Sequence, residues 1–430
     1  MTKVYSWGRL NAFEHEVIDL STSLLPHALK HPKSGLAYGM GRSYGDVCLN
    51  PDGILWNART LNHFKHFDAQ TGILSCEAGV LIADIQRLMV PKGWMLAVTP
   101  GTQSITVGGA IANDIHGKNH HRYGSFGDHV LAFDLLRTDG TSIHCRPQEQ
   151  SDWFTATVGG MGLTGIITTV HLQLRTVPGP WFNSETLVYQ SLEEFFELAD
   201  GSEDNWEYTV SWIDCFSKHK GRGLFMRANH HQDDRFISQK KKLKIPFTPP
   251  FSLINRYSLP LFNALYYYLN AANSGKKISH YESFLYPLDH ISEWNRLYGP
   301  KGFFQYQCVL PRSTGVETVK SILNEIARSG EGSFLNVLKT FGDRKAPGMM
   351  SFPQSGVTLA LDFPNKGIRT LQLLTRLDSI VREAEGRLYM AKDARMPKDL
   401  FYSGYPRLAE FLQYRDPGIS SALSRRLIGD

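Results

Sequence analysis

Cysteine is scarce: Cys48, Cys76, Cys145, Cys215 and Cys308 are scattered, odd in number and form no C-x-x-C pair. That pattern argues against a disulfide framework or a structural zinc, and for a reducing compartment. Long apolar runs are missing as well. The best candidate for a membrane span, Tyr257 to Gly275, is broken by Pro260, Asn263 and Asn270 and falls short of the roughly 20 apolar residues a span needs. The opening segment, MTKVYSWGRLNAFEHEV, has no continuous apolar stretch and no small-residue cleavage site, so a cytoplasmic location is expected rather than secretion. Excess charge is also lacking. The net value is +5, and no basic stripe is interleaved with aromatics beyond short lysine runs, which sets nucleic acid aside as a partner. There are no internal repeats. At 430 residues, 42% hydrophobic and 20% charged, the chain exceeds one ordinary core and reads as a multidomain globular protein.

What is abundant is glycine in two clusters. From Pro100 to Val130, PGTQSITVGGAIANDIHGKNHHRYGSFGDHV, Gly101, Gly108, Gly109, Gly117, Gly124 and Gly127 recur, as where backbone must turn tightly or lie against a large flat ligand. The second cluster, Gly39-Met40-Gly41-Arg42-Ser43-Tyr44-Gly45-Asp46, follows a short apolar run, Leu36 to Tyr38, that can be a strand. Its spacing, G-x-G-x-x-x-G with no helical pattern after it, does not fit a Rossmann dinucleotide fingerprint. Gly41 to Gly45 does match the hydrolase elbow G-x-S-x-G, but a helix must follow the serine, and the turn-rich segment Asp46 to Gly53 follows instead. Both loops make sense if each gives backbone N–H groups to one diphosphate, with Thr106-Val107-Gly108-Gly109 opening a helix whose N-terminus adds its dipole.

At this point the residues resemble the FAD-binding domain of the vanillyl-alcohol-oxidase superfamily, the PCMH-type domain. Reading on, GMGRSYGD, DIHGKNHH, GSFGDHV, ATVGGMGLTGII, EWNRLYGPKGFFQYQ, SFLNVLKTFG, RLYMAKDAR and the closing LSRRL are similar, in order, to the decaprenylphosphoryl-β-D-ribose 2′-oxidase family. The resemblance implies an α+β fold: a PCMH-type FAD-binding domain of two α/β subdomains (1–178), a cap domain with an antiparallel sheet flanked by helices (179–387), and a C-terminal segment (388–430) returning to the first domain. It implies FAD, contacted by Gly39, Gly41, Arg42, Ser43, Tyr44, Gly45, Asp46, Pro100, Gly101, Thr106, Val107, Gly108, Gly109, Asn113, Asp114, Ile115, His116, Gly117, Asn119, Ile167 and Tyr389. Substrate would meet Tyr44, Lys118, Trp212, Tyr286, Gln305, Gln307, Lys339 and Lys392.

Periodicity supplies a coarse outline beside this. Ile73 to Glu77 and Met95 to Val98 read as strands around an amphipathic helix, Leu81 to Met89. His129 to Arg137 and Thr141 to Cys145 read as a hairpin turned at Asp139-Gly140, and Ile166 to Leu174 as a β-branched strand. Later come strand-like runs at Tyr208 to Ile213 and Gln305 to Leu310 and a helix at Val316 to Arg328.

A flavin that oxidises an alcohol gathers negative charge on its ring, so the protein must orient the C–H bond and stabilise that charge. Lys392 matches the family's active-site lysine; its bland reading is a surface lysine paired with Asp393. His116 would contact flavin and substrate as a neutral imidazole; the alternatives are a structural histidine or, with His120 and His121, a metal cluster, which lacks the carboxylate or cysteine that zinc sites show. No metal is expected. The amides suit hydroxyls, the lysines a phosphate, and the aromatics a ring face or polyprenyl chain.

Covalent attachment of the flavin is not expected, because Arg42 and the loop Gly101 to Ile105 carry neither the histidine nor the cysteine that superfamily members use. One departure concerns the pocket wall: Ala360 stands where well-known family members carry cysteine, in Ala360-Leu361-Asp362-Phe363-Pro364.

The resemblance implies oxidation of the 2′-hydroxyl of a polyprenyl-phosphate pentose, with a short-chain reductase partner completing an epimerisation in cell-envelope synthesis. A soluble sugar, alditol or aldonolactone oxidase and a non-enzymatic flavin-binding or hydrolytic protein are the other readings. Lys240, Lys241, Lys242 and Lys244, followed by aromatic sequence, read either as a flap on an anionic membrane surface or as a solvated loop before a cap-domain helix.

Overall fold

A computed structural model describes residues 1–10, 12–21, 29, 31–215, 221–233 and 243–429. Lys240, Lys241 and Lys242 lie outside them, whereas Lys244 lies within. Three sheets carry the architecture. The first comprises β1 (Thr2–Tyr5), β2 (Ala12–Asp19), β3 (Gly35–Tyr38) and β4 (Ile54–Asn57) in the order β1-β2-β4-β3. Strand β4 is parallel to both its neighbours and buried along its whole length, as an apolar run with no polar alternation requires.

The second sheet contains β5 (Phe64–Asp68), β6 (Ile73–Glu77), β7 (Trp94–Leu96), β8 (Val130–Leu136), β9 (Ser142–Cys145) and β10 (Ile166–Thr176), ordered β5-β6-β10-β8-β9 with β7 also pairing β10. The amphipathic helix α1 (Ile82–Met89) buries Ile82, Ile85 and Met89 against this sheet's core. Helix α2 (Val107–Ala112) begins where the sequence placed it: the Thr106 hydroxyl accepts from Gly109 N at 3.2 Å, satisfying one free amide of the first turn.

The third sheet is antiparallel and eight-stranded, in the order β15-β11-β13-β12-β18-β19-β17-β20. Its strands are β11 (Trp181–Tyr189), β12 (Tyr208–Ile213), β13 (Gly223–His231), β15 (Gly275–His280), β17 (Phe303–Leu310), β18 (Asn336–Phe341), β19 (Gly356–Pro364) and β20 (Arg387–Leu388). The pair β14 (Leu243–Lys244) and β16 (Ile291–Ser292) stands apart. Three long helices accompany this sheet: α3 (Ser258–Ala272), α4 (Gly315–Ser329) and α5 (Ile368–Glu383). Helices α4 and α5 bury Val319, Ile322, Ile326, Leu373, Leu377 and Val381 in one core with Leu359 and Leu361 of β19.

The α+β architecture with an antiparallel sheet flanked by helices is the one expected. The runs at Ile73–Glu77 and Tyr208–Ile213 coincide with their strands, and the expected strand at Met95–Val98 becomes Trp94–Leu96 because the chain then turns into the glycine-rich loop that begins at Pro100.

After β20 the chain returns to the first two sheets. Gly35 N donates to Gly418 O at 2.9 Å, and the buried Asp416 accepts from Thr138 N at 2.8 Å and from Gly418 N at 2.9 Å. Those bonds fix the return path, and with it the segment 389–393 that forms one wall of the site. Among the described residues no helix is long and apolar enough to cross a membrane.

Candidate active site

A cavity of about 680 Å³ lies where the two glycine loops face the third sheet. Three adjacent strands form its floor by simple register. Gln305 stands opposite Asp362 and Gln307 opposite Ala360 on β17 and β19, while Lys339 of β18 stands opposite Thr358. Alternation along each strand therefore puts Gln305, Gln307, Lys339, Thr358, Ala360 and Asp362 on one face.

The opposite wall is the segment Asn113–Lys118. His116 is pinned on both ring nitrogens: Lys339 Nζ lies 2.9 Å from Nδ1 and Gln307 Nε2 lies 3.0 Å from Nε2. The Gln307 amide also donates to Thr358 Oγ1 at 3.2 Å, and that hydroxyl gives its own hydrogen to Cys308 O at 2.8 Å. The direction of this chain makes Gln307 the donor to Nε2, so the ring proton sits on Nδ1 and points at Lys339, an assignment drawn from the network. Lys339 then serves as an amine acceptor while donating to Gly117 O at 2.7 Å. Its electrostatics agree: burial, with Lys118 and Lys392 nearby, brings the Lys339 amine down to about 7. Burial first, then Lys339, His120 and Lys392, holds His116 neutral.

Lys392 comes from the loop after β20, which is stitched to both neighbours: Tyr389 N donates to Gln307 O at 2.9 Å and Tyr44 N to Ala391 O at 3.0 Å. Its Nζ stands 3.9 Å from the centre of the Tyr44 ring, a cation–π geometry that favours the charged form. Withdrawal from water lowers this amine to about 8 and Asp362 opposes the shift. Asp393 is not its partner, being held instead by Arg426 at 2.8 Å. Lys118, whose Nζ donates to Phe284 O, is brought to about 7 by burial. Trp212 completes this end, its Nε1 donating to Phe334 O at 3.0 Å.

At the far end the glycine loops face one another. Gly39, Gly41, Arg42, Ser43 and Tyr44 line the cavity from one side, and Pro100, Gly101, Thr106, Gly108, Gly109, Asn113, Ile115 and Gly117 from the other, with Ile167 and Tyr389 between. The fit to a diphosphate-bearing dinucleotide can be tested here. The Arg42 guanidinium stacks on Trp7 at 4.0 Å, and its Nε is buried with no partner. A Cβ on Gly101 or on Gly162, both on the cavity wall, would meet no protein atom within 4 Å. A guanidinium with an unpaired Nε, on a wall with open, glycine-lined backbone, suits a diphosphate, and the residues fit FAD.

Six of the residues expected at the ligand stand off the cavity. Gly45 is needed for close approach, since a Cβ there would lie 1.5 Å from Asp393 O. The Asp46 carboxylate is occupied by Arg426 at 2.9 Å. Val107 is core. Asp114 is fully buried and accepts from Ser125 Oγ and Gly127 N, both at 2.9 Å, and from Ser351 Oγ at 2.5 Å. Asn119 donates to Ala97 O at 2.8 Å, and the Tyr286 hydroxyl accepts from Gln86 Nε2 at 3.2 Å. These six brace the loops from behind. Sequence reading missed Trp7, Thr358 and Asp289, which lie on the wall, and Asp362 behind it. Strand alternation could have found Thr358 and Asp362. Trp7 and the clasp of Asp289 on Thr102 Oγ1 at 2.7 Å and Gln103 N at 2.8 Å carry no local signal.

Glycine loops shaped for a dinucleotide, facing a sheet with amines and amides, define an FAD-binding oxidoreductase. Residues 22–146 match the FAD binding domain family. The chain is 39% identical over 91% of its length, and 88% of the relative's, to the decaprenylphosphoryl-β-D-ribose oxidase of Mycolicibacterium smegmatis. It is 30% identical to an uncharacterized protein of Streptomyces coelicolor across 80% of its own length and 98% of that protein's. To the L-gulonolactone oxidase of Mus musculus it is 27% identical over 43% of its length, covering 41% of that enzyme. The chain belongs to the decaprenylphosphoryl-β-D-ribose oxidase family, and it is an FAD-dependent oxidoreductase.

Lys392→Ala is expected to leave a folded, FAD-loaded protein whose flavin is reduced by substrate roughly 100-fold more slowly, the scale of losing one preorganised charge-stabilising group. Lys392→Arg should not restore the rate, because a planar fork cannot take the place of a compact ammonium over the Tyr44 face. Stopped-flow absorbance of the flavin reads both, and normal rates in either variant would remove Lys392 from the catalytic machinery.

Proposed function

We propose that this enzyme oxidises the 2′-hydroxyl of a polyprenyl-phosphate pentose, decaprenylphosphoryl-ribose or a close analogue, to a keto sugar. Bound FAD supplies the two-electron acceptor. The observation that carries the reading is the set of three amines, Lys118, Lys339 and Lys392, on the wall of one cavity, none of them ion-paired with a carboxylate among the described residues. Amines withdrawn from water without an ion-pair partner are costly to charge unless an anion arrives to pair them, and Asp362 offsets this only in part and only at Lys392. A phosphate-bearing substrate supplies that charge and a neutral sugar or lactone does not. In this reading His116, neutral and oriented by Lys339 and Gln307, faces the reacting hydroxyl, while Gln305 and Gln307 position the pentose.

Anaerobic bleaching of the flavin by a panel of substrates tests it. Polyprenyl-phosphate pentoses should reduce the flavin rapidly, free sugars and aldonolactones should not, and Lys118→Met should raise KM for the phosphorylated substrate about tenfold, the loss of one charge-assisted bond. Fast reduction by free sugars or by L-gulonolactone would favour the soluble-oxidase alternative instead.

The flavin is held without a covalent bond in this proposal. Support comes from Arg42 in the first loop, and from Cys48, the cysteine on the cavity wall, whose thiol burial pushes up to about 12, leaving it a poor nucleophile. Acid precipitation should release all of the flavin into the supernatant. Yellow colour that stays with the denatured polypeptide would overturn this.

We also place the enzyme peripherally on the inner face of the cytoplasmic membrane, passing its product to a short-chain reductase. Helix α3 supports the membrane contact: Tyr257, Leu261, Leu265, Tyr268 and Leu269 form an outward, exposed stripe, while Tyr266 and Asn270 line the cavity. From residue 243 to 281 there is no Asp or Glu, whereas Lys244, Arg256, Lys276 and Lys277 are present, a balance suited to anionic lipid. Replacing Leu261, Leu265 and Leu269 by serine should abolish sedimentation with anionic vesicles and spare oxidation of a short-chain soluble analogue. Unchanged sedimentation would return the helix to an ordinary surface element.

A further inference from the structure

Asp362 is a fully buried carboxylate that does not reach the cavity and that no step above uses. It sits on β19 beside Gln305, its ladder partner on β17, whose Nε2 donates to Asp362 Oδ1 at 2.6 Å, and the Tyr298 hydroxyl is 3.5 Å from Oδ2. Its backbone N–H donates to Ser333 Oγ at 2.9 Å. The side chain of Gln305 in turn neighbours the Tyr44 hydroxyl, and Tyr44 presents its ring face to Lys392. A single file therefore runs from Asp362 through Gln305 and Tyr44 to the Lys392 ammonium.

The Tyr44 ring face favours the charged amine, but the nearest titratable groups do not. Lys339 of β18 opposes a second cation only to the extent that it is itself protonated, and His116 is neutral. Asp362 is the carboxylate whose charge acts on Lys392; burial, the larger effect, pushes Asp362 itself up to about 7 while the Gln305 bond and Lys392 pull the other way, so it carries its charge in the alkaline range where the limb is read. A buried carboxylate without such an arrangement would be expensive to keep.

We propose that Asp362 is a positioning residue that keeps Lys392 in its ammonium form, acting through Gln305 and Tyr44 without touching substrate or flavin. The proposal rests on the assignment of Lys392 to the catalytic machinery. It makes the alkaline limit of flavin reduction a property of the pair rather than of the lysine alone. The sign is fixed: removing the negative charge makes the ammonium easier to deprotonate, so the alkaline limb moves to lower pH.

The test is the rate of flavin reduction by substrate from pH 6 to 10 in the FAD-loaded enzyme. Asp362→Asn keeps the shape and the bond from Gln305 but removes the charge, and should bring the alkaline limb down by about one pH unit with the low-pH rate retained. Gln305→Leu removes the donor that favours the carboxylate and should move the limb the same way by less. If Asp362→Asn fails to load FAD, Gln305→Leu carries the test. A limb at the wild-type position in whichever variants load FAD overturns the inference. Normal reduction in Lys392→Ala overturns the reading beneath it, a result distinct from an unmoved limb beside a slow Lys392→Ala.

Discussion

The site is closed by one backbone contact, the approach of Gly45 to the carbonyl of Asp393. A side chain at Gly45 would lie 1.5 Å from that oxygen, so only glycine lets the C-terminal return segment lie flat on the first glycine loop. Once it does, the Tyr44 amide bonds Ala391 O at 3.0 Å and Lys392 falls over the Tyr44 ring. Arg426 clamps the junction by pairing with both Asp46 and Asp393. A chemical group from the end of the chain is thus delivered to a loop near its beginning, with a precision no single element could supply.

Around that junction the electrostatics oppose one another. Three amines share one cavity, and each is lowered first by its own burial, with Lys339 lowered further by its neighbours. Lys339, brought down to about 7, can accept from His116 as a neutral amine, so the imidazole is oriented by an acceptor rather than by a carboxylate. Such an arrangement is stable because Gly117 O and the Gln307–Thr358–Cys308 chain satisfy the remaining polar groups.

Much of this was legible in the sequence, for identifiable reasons. Glycines announce backbone that must bend or approach closely, and both loops were located by them. The Thr106 cap and the strands at Ile73–Glu77 and Tyr208–Ile213 followed from local chemistry and period-two patterning. What failed was the separation of lining from bracing residues. Asp114 and Asn119 lie within three residues of His116 and point away from the cavity, because the backbone there turns sharply, with Asp114 itself at φ 38°. Proximity in sequence says nothing about direction once regular periodicity is lost. Trp7 and Asp289 were invisible for the complementary reason: each acts on a loop far from it along the chain, and such pairings leave no local pattern.

The long detour between the two halves of the cavity wall has a consequence for biosynthesis. Tyr44 and the glycine loops leave the ribosome hundreds of residues before Tyr389 and Lys392, so the pocket lacks a wall until that later segment has been made. The early sheets can fold as the chain emerges, but they hold an open trough, not the finished cavity. Cofactor capture in its final geometry therefore waits for residues 389–393, and the return segment acts as a latch on the cavity.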